Sequence, residues 1–317
     1  MHEVGILLRL NRHPNVVKLF ETFETGRHIL LVMELCAGGD LLNYVRKRKK
    51  LEEASAKYLF KQLIEGLGYL HSKNVLHRDI KLDNILLDGK GMVKIADFGV
   101  SKQVRTGEIM REQCGTPAYI APEIIRDRGY SGFKADLWSA GVVLYAMLYG
   151  TVPFKANNMQ DLHKLILAAK YNLKDEISES AKSLLRALLE PDPVKRLTIK
   201  QVLTHPWMVD AAEEGTLQIF NHEEQEVIRK EFTYNNPNRF NRNEVPQNPD
   251  EEPWDCFTEL NLDSMNATLR NASTKSVILA PFNSSVSDDR EFEDVNKKQA
   301  PMVDKKSLIK FAARCRD

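Results

Sequence analysis

Two short apolar segments in the first third of this 317-residue chain lie between two polar stretches. Residues 85–87 (Ile-Leu-Leu) and 93–95 (Val-Lys-Ile) have the length and composition of paired strands, which predicts a small buried hairpin. Residues 77–84 precede this hairpin and Asp97-Phe98-Gly99 follows it, so the hairpin would hold both polar loops at a fixed separation. Because a charge beside a buried element is costly unless it is used or paired, the acids of these loops are predicted to be functional.

Four side chains of these loops suit the transfer of a phosphoryl group. That reaction needs a carboxylate to take the proton of an in-line hydroxyl, and cations to neutralise the phosphates. Asp79 supplies the carboxylate, and Lys81 is close enough in sequence to reach a moving phosphoryl group. Asn84 and Asp97 supply amide and carboxylate oxygens, the hard ligands that Mg²⁺ prefers. The loops therefore predict a magnesium-dependent phosphoryl-transfer site.

The bulk composition argues against several other classes of protein. A formal net charge of +1 gives no electrostatic reason to expect nucleic acid or a membrane surface as the main partner. No apolar run approaches the roughly 18 residues of a spanning helix, and the first residues lack the layout of a signal peptide. Cys36, Cys114, Cys256 and Cys315 have no metal-ligand or disulfide spacing, which predicts a reduced protein of the cytoplasm or nucleus.

Hydrophobic periodicity predicts an α+β architecture. A short helix with Ile6, Leu7 and Leu10 on one face precedes a hairpin formed by residues 16–23 and 28–33. Helices are predicted over residues 53–71, 137–149 and 178–189, and the second is apolar on nearly all sides and therefore central. Residues 216–232 predict one more amphipathic helix, with Leu217, Phe220, Val227 and Ile228 roughly aligned, and residues 235–253 a linker or disordered stretch.

Five ordered motifs and one later arginine connect the chain to a known family. Residues 77–84 and 97–99 are followed by Cys114-Gly115-Thr116-Pro117, by Ala121-Pro122-Glu123, by Asp136-Leu137-Trp138-Ser139 with Gly141, and by Arg196. Over about residues 1–208 the chain resembles eukaryotic serine/threonine protein kinases, and in particular the calcium/calmodulin-dependent group. The resemblance implies a two-lobe fold with a truncated N-terminal lobe at 1–37, a complete, mainly α-helical C-terminal lobe at 38–208, and a partly helical, partly disordered tail at 209–317. It also implies ATP and Mg²⁺ as cofactors and serine or threonine hydroxyls of proteins as substrates.

The resemblance further implies roles for single residues. Asp79 matches the catalytic base, Thr116 a residue that positions it, and Asn84 and Asp97 the metal ligands, while Lys81 marks the serine/threonine subgroup. In the nucleotide pocket, Glu34 and Cys36 would offer backbone groups to the adenine, Leu86 would lie under it, and Met33 takes the gatekeeper position. Structural roles fall to Asp136 as a cap of the catalytic loop, to a Glu123–Arg196 pair, and to a spine of Leu7, His77 and Phe98.

The match is incomplete at the N-terminal end. Kinases carry a glycine-rich phosphate loop and a strand lysine before the helix that opens this chain, and the sequence contains neither. Glu3 matches the glutamate that pairs with that lysine. Either Met1 is an internal methionine of a longer kinase, or the chain is a catalytically impaired pseudokinase that acts as a scaffold or interaction module. The intact catalytic residues favour the first explanation.

Regulation and substrate choice are predicted from the same resemblance. Glu112 occupies the position of an activating phosphate, where it would pair with Arg78, although a solvated surface glutamate is an equal alternative. Asp40 and Asp83 match acids that recognise arginine upstream of the phosphoacceptor. Ser273 has a matching arginine three residues before it and is therefore a candidate autophosphorylation site. The basic stretch at 305–316 fits a calmodulin-type target, but a solvated terminal helix is favoured there.

Overall fold

The computed structural model describes residues 2–10, 13–24, 29–105, 107–209 and 218–232. Its helices are α1 (His2–Arg9), α2 (Leu41–Arg48), α3 (Glu53–Ser72), α4 (Pro122–Ile125), α5 (Gly132–Tyr149), α6 (Met159–Leu167), α7 (Glu179–Leu188), α8 (Ile199–Leu203), α9 (Pro206–Val209) and α10 (His222–Phe232). Its strands are β1 (Leu19–Glu24), β2 (Ile29–Met33), β3 (Gly39–Asp40), β4 (Val75–Leu76), β5 (Ile85–Leu87), β6 (Val93–Ile95) and β7 (Lys102–Gln103). Single turns of 3-10 helix cover Leu82–Asn84 and Pro117–Tyr119. This mixture confirms the predicted α+β class.

The central hairpin forms as predicted, and it brings the two polar loops together. β5 and β6 are antiparallel, with Ile85 opposite Ile95 and Leu87 opposite Val93. The start of β5 and the end of β6 therefore lie at the same edge, where the backbone N–H of Ala96 donates to the carbonyl of Asn84 at 2.9 Å. The sequence did not predict β3, which pairs with the other side of β5.

The predicted N-terminal hairpin is also present, but its first strand is shorter than expected. β1 begins at Leu19 rather than at Val16 and pairs with β2 in antiparallel register. Val16 instead forms an isolated bridge with Ile95, and the backbone N–H of Val17 donates to the Ile95 carbonyl at 2.9 Å. These two apolar residues thus bind the strand pair to β6 of the larger lobe. Residues 34–38, called the hinge below, lie between β2 and β3, where the sequence predicts the boundary of the two lobes.

The three predicted helices of the larger lobe are confirmed as α3, α5 and α7. Helix α5 starts five residues earlier than its apolar pattern suggested, and almost all of it is buried. Asp136 is one of the buried residues of that first part, which explains why hydrophobicity alone missed it. Ser178 caps α7 by accepting a hydrogen bond from the backbone N–H of Ala181, a local signal of where a helix begins.

The helix predicted over residues 216–232 is shorter in the structure. α10 begins at His222 because Asn221 caps it: the Asn221 side-chain oxygen accepts from the Glu224 backbone N–H at 2.8 Å, and Glu224 Oε2 accepts from the Asn221 backbone at 3.0 Å. Ile228 packs against the core, whereas Val227 is 52% exposed, so the predicted apolar alignment is wrong at that position. Leu217 lies outside the described residues.

A fully buried ion pair connects the segment after Thr116 to the base of the larger lobe. Arg196 is 0% exposed at its side chain and Glu123 7%. The Arg196 guanidinium donates from Nη1 to Glu123 Oε1 at 2.6 Å and from Nη2 to Oε2 at 2.9 Å. Two more donors reach the carbonyls of Lys134 and Glu190, at 2.6 and 3.0 Å. The guanidinium therefore satisfies four acceptors, and loss of one partner would leave a buried charge unpaired.

We expect Glu123→Gln to lower the free energy of unfolding by about 3–5 kcal/mol, the usual effect of breaking a buried ion pair on one side. Urea denaturation of the variant and the parent measures this difference. Lys195→Ala is the control, because the Lys195 side chain is 74% exposed and should change stability by about 0.5 kcal/mol or less. A loss below about 1 kcal/mol for Glu123→Gln would show that the pair does not brace the lobe.

Candidate active site

A buried carboxylate on α5 shapes the loop that carries the candidate catalytic residues. Asp136 is 2% exposed and accepts from the backbone N–H groups of His77 at 3.1 Å and Arg78 at 2.9 Å. His71 Nε2 lies 2.9 Å from the same carboxylate. Burial alone would raise the pKa of Asp136, but the hydrogen bonds from His71 and the Arg78 backbone outweigh it and hold that pKa below its ordinary value. The ionised group stabilises Arg78 in a left-handed conformation, with φ of +69°.

The structure brings Asp79, Lys81, Asn84 and Thr116 together around one carboxylate. Lys81 Nζ lies 2.7 Å from Asp79 Oδ2, and the Asn84 side-chain N–H donates to the same oxygen at 3.0 Å. Asp79 Oδ1 accepts from the Thr116 hydroxyl at 2.7 Å and from its backbone N–H at 3.0 Å. Lys81 Nζ also donates to the Thr116 hydroxyl at 2.9 Å, so Asp79, Lys81 and Thr116 are all in mutual contact.

These contacts set the charge of the Asp79 carboxylate. Burial alone would raise the pKa of Asp79, whereas hydrogen bonds from Lys81 and Thr116 lower it, and the net result is a pKa below the usual range for aspartate. The group is therefore ionised at neutral pH. Its two oxygens already accept four hydrogen bonds, about the full capacity of a carboxylate, so a substrate hydroxyl would have to replace one of these donors.

Asn84 and Asp97 present oxygens on neighbouring segments of the site. Asn84 donates through its side-chain nitrogen to the Asp79 carbonyl at 2.9 Å, and no described residue donates to its side-chain oxygen. Asp97 has a left-handed backbone, with φ of +62°, and within the described part of the chain its carboxylate accepts only from the Gly99 N–H at 3.3 Å. One amide and one carboxylate oxygen match how Mg²⁺ is held by a protein that shares it with phosphates.

Aromatic packing fixes the backbone between the two loops. His77 Nε2 lies 2.9 Å from the Ala96 carbonyl, and the His77 and Phe98 rings meet edge to face with centroids 5.2 Å apart. Leu7 is buried like these two residues. The three residues that the sequence assigned to a spine are thus all in the core.

The hinge leaves two backbone groups available at the predicted adenine position. The Cys36 carbonyl accepts from the Gly39 N–H at 3.1 Å, so it is already used. Among the described residues, the Cys36 N–H has no acceptor, and the Glu34 carbonyl accepts only weakly from the Cys36 thiol at 3.9 Å. Burial, followed by the charge of Glu34, raises the pKa of the Cys36 thiol to about 12, which keeps the thiol protonated at neutral pH. Leu86, with 7% exposure, lies on β5 opposite Asp40.

The Glu3 carboxylate lies close to a second carboxylate, that of Asp97. A Cβ placed on Gly99 would lie 3.3 Å from Asp97 Oδ1 and 4.0 Å from Glu3 Oε2, which shows that the two carboxylates flank this glycine. Burial raises the pKa of Glu3, and repulsion from Asp97 raises it further, despite a hydrogen bond from the Phe98 backbone. No lysine or arginine side chain among the described residues pairs with Glu3.

Glu112 contacts Arg78, as the sequence suggested, together with a second cation that the sequence did not reveal. Arg78 Nη1 is hydrogen-bonded to Glu112 Oε2, and Lys102 Nζ lies 3.2 Å from Oε1. Hydrogen bonds from Arg78 and Lys102 lower the pKa of Glu112. The Tyr130 hydroxyl donates to the Glu112 carbonyl at 2.8 Å, which holds the backbone in place. Lys102 belongs to β7, so only the pairing of β7 with β4 beside Arg78 brings it near.

The two acids predicted to recognise arginine have different surroundings. Asp40 is 1% exposed, and its oxygens accept from the Asn43 backbone at 2.8 Å and from the Asn43 side chain at 3.0 Å. Asp40 therefore caps α2, a role that the sequence did not predict, and its burial does not favour contact with a substrate. Asp83 is half-buried near Tyr119; burial and, less strongly, the charge of Asp83 raise the pKa of Tyr119 to about 12.

Several predictions concern residues that the structure does not describe. Ser273 as an autophosphorylation site, the linker at 235–253 and the calmodulin-type segment at 305–316 all lie outside the described ranges and stay predictions. Within the described ranges, no helix has both the length and the apolar character needed to cross a membrane.

We expect Glu3→Gln to raise the melting temperature at pH 7. A raised pKa means that the contribution of Glu3 to stability is fully present below its unfolded-state pKa and is lost as pH rises through its folded-state pKa. The uncharged glutamine avoids this loss of stability, so the gain in melting temperature should shrink as the pH approaches 4. Thermal melts at pH 4 and pH 7 measure it, with Glu65→Gln on α3 as the control. A lower melting temperature for Glu3→Gln at pH 7 would mean that a cation outside the described residues pairs with Glu3.

Comparisons with known proteins agree with this geometry. The family model for the protein kinase domain matches residues 1–208. CBL-interacting protein kinase 31 of Oryza sativa subsp. japonica is 43% identical over 203 residues, which cover 63% of this chain and 45% of that protein. A probable serine/threonine-protein kinase of Dictyostelium discoideum is 40% identical over 204 residues, or 64% of this chain and 24% of that protein. Serine/threonine protein kinase OSK3 of Oryza sativa subsp. indica is 42% identical over 201 residues, which cover 63% of this chain and 40% of that protein.

The chain thus spans less than half the length of these curated relatives. The family match covers most of the chain, and it contains both polar loops, the Thr116 segment and the Glu123–Arg196 pair. Fold, site geometry and relatives lead to one assignment: the chain belongs to the protein kinase family, among the eukaryotic serine/threonine kinases.

Proposed function

We propose that this protein transfers the γ-phosphoryl group of ATP to serine and threonine hydroxyls of protein substrates. The observation that carries the proposal is the Asp79 carboxylate, held ionised by Lys81 and Thr116 and also contacted by Asn84, at 2.7–3.0 Å. A surface acid has no need of three side-chain partners, whereas a base that must be aimed at one hydroxyl does.

Each side chain of this group has a part in the proposed reaction. Asp79 would accept a hydrogen bond from the substrate hydroxyl and then take its proton as the oxygen attacks. Thr116 holds one oxygen of Asp79 and so leaves the other directed toward Lys81. Lys81 would balance the negative charge that develops on the transferred group, because its ammonium already lies within the site.

The residues present fit a magnesium–nucleotide complex. Asn84 and Asp97 would hold the cation through the side-chain oxygens that no other described side chain engages. Leu86 and the hinge groups of Glu34 and Cys36 would hold the adenine. When bound, Mg²⁺–ATP supplies the phosphoryl group, and the cation neutralises its charge.

A preference for arginine upstream of the phosphoacceptor is part of the proposal. Asp83 supports it, because it is half-exposed and follows Asp79 in the same loop. A carboxylate offers two acceptors that suit the forked donors of a guanidinium. Since Asp40 is buried in its capping contact, Asp83 carries this preference in the described conformation.

One observation favours a second function. Glu3 faces Asp97 with no described lysine or arginine side chain to balance it, and a kinase requires a lysine–glutamate pair at this place for full activity. A catalytically impaired module that binds partners through the same lobe is therefore the alternative. Loss of nucleotide binding with retained partner binding distinguishes it from an active kinase.

We expect Asp79→Asn to lower phosphate transfer by about 10²–10⁴-fold, the range for removal of a general base. The assay uses the full-length gene product with Mg²⁺–ATP and two matched peptide substrates. One peptide carries arginine three residues before the serine, and the other carries glutamate there. Asp161→Asn, a change at an exposed residue of α6, is the control and should retain activity. Equal rates for Asp79→Asn and the parent would refute the proposed function, and equal rates for both peptides would refute the arginine preference.

We expect Glu112→Ala to lower kcat/KM by up to about tenfold, or about 1.4 kcal/mol in the barrier, because Arg78 and Lys102 lose their shared partner. The lowered pKa of Glu112 means that its stabilising contact is present above the unfolded-state pKa and is lost only as pH falls through the folded-state value. The effect should therefore be constant from pH 6 to 8. Arg111→Ala at the neighbouring exposed residue is the control, and unchanged kinetics in Glu112→Ala would dismiss the contact as a solvated surface pair.

A further inference from the structure

Residues 218–232 lie beyond the part of the chain that matches the kinase family, yet they are seated on the larger lobe. Ile219 and Phe220 are 4% and 5% exposed, as buried as core residues. They precede α10 in a non-helical segment whose backbone is held by the Asn221 cap. A tail that merely follows the lobe has no reason to bury two large side chains at its start.

Two glycines form the floor of the socket that receives them. A Cβ on Gly38 would lie 2.4 Å from Phe220 Cζ, and a Cβ on Gly91 would lie 2.5 Å from Ile219 Cβ. A side chain at either glycine would therefore force the tail to shift from this position. Gly91 also has a left-handed backbone, with φ of +82°. The fit between the tail and the lobe is therefore specific in shape rather than a general apolar contact.

Helix α2 supplies the polar half of the contact. The Tyr44 hydroxyl donates to the Ile219 carbonyl at 2.8 Å, and the Tyr44 ring meets Phe220 edge to face at 5.9 Å. Arg48 lies over the Tyr44 ring at 3.8 Å and pairs with Glu224 at 2.6 Å. Both charged side chains are 27% exposed, so this ion pair is less screened than an ordinary surface pair.

The part of the floor formed by Gly38 belongs to the backbone that leads out of the predicted nucleotide pocket. Gly38 is the last hinge residue, and its N–H donates to the Leu87 carbonyl at 2.9 Å. Gly39 follows with φ of +74° and pairs with Leu87 on β5. Two consecutive glycines are conformationally free in isolation, so contacts with other segments of the chain must select their conformation. Phe220 makes such a contact at the first of them.

We propose that Ile219, Phe220 and Glu224 are positioning residues for the active site, and that residues 218–232 belong to the working kinase unit. The tail fixes the end of the hinge and the start of α2, which in turn keep the backbone groups of Glu34 and Cys36 and the β5 strand with Leu86 in place for the nucleotide. As far as the nucleotide is concerned, this inference rests on the proposed function. Its mechanical part, the coupling of the tail to the hinge, does not.

The first test measures amide hydrogen exchange in the full-length protein with Phe220→Ala, with Val227→Ala as the matched control. Val227 belongs to the same tail but is 52% exposed. For Phe220→Ala we expect faster exchange in residues 36–48, with α3 and α5 unchanged, because a lost local contact opens only the unit that depends on it. Unchanged exchange in residues 36–48 would overturn the proposal. A uniform increase across the lobe would also overturn it, because that result indicates a general stabilising cover.

Glu224→Gln provides a milder variant in case Phe220→Ala does not fold. It removes the charge that pairs with Arg48 but retains an oxygen that can accept from the Asn221 N–H. A smaller rise in exchange over the same residues supports the proposal, and no rise overturns it.

The second test separates the coupling from the proposed catalysis. If only about one tenth of the Phe220→Ala molecules hold the competent hinge, the apparent Kd for ATP rises about tenfold. We expect that rise in the KM for ATP, with a smaller change in kcat at saturating ATP. If the parent protein transfers no phosphate, the proposed function fails, while the exchange data still decide whether the tail positions the hinge. If the parent is active and Phe220→Ala leaves both KM and exchange unchanged, this inference fails and the proposed function stands.

Discussion

The candidate active site depends on the hydrogen bonds that the ionised carboxylate of Asp136 accepts. This carboxylate is buried in α5, and it holds two consecutive backbone N–H groups of the catalytic loop, at His77 and Arg78. A buried charge of this kind is tolerated because His71 and the backbone donors satisfy it, and the same donors lower its pKa. The left-handed backbone at Arg78 follows from this arrangement, and it directs Arg78 toward Glu112 while Asp79 meets Thr116 and Lys81.

Charge balance differs across the site, and the difference has functional meaning. Asp79 is balanced by Lys81, and Glu112 by Arg78 and Lys102. Glu3 and Asp97 face each other without such a partner among the described residues. An acid pair of this kind raises the pKa of one member and attracts cations to the place where a kinase binds its nucleotide and metal. In the proposed reaction, Asp79 in the balanced half would take the proton, and Asp97 in the other half would meet the cation.

Much of the architecture could be predicted from local patterns. The β5–β6 hairpin, helices α3 and α7 and the core position of α5 follow from apolar periodicity and caps, which act over a few neighbouring residues. The predicted bounds of a strand or helix were wrong where contacts with residues far away in sequence determine the local structure. Val16 and Val17 were expected in β1 but bind Ile95 of the other lobe, and the first part of α5 includes Asp136, whose burial depends on the catalytic loop.

The sequence by itself determined which chemical groups are available: the acids, amide and lysine of two loops, their order along the chain, and the family to which that order belongs. These are properties of residue identity and spacing. Only the tertiary structure decided which groups meet. It paired Lys102 with Glu112, set Glu3 against Asp97, and seated Phe220 on Gly38. The reason is physical: each of these contacts joins separate elements of the fold, and its geometry depends on how the whole core packs.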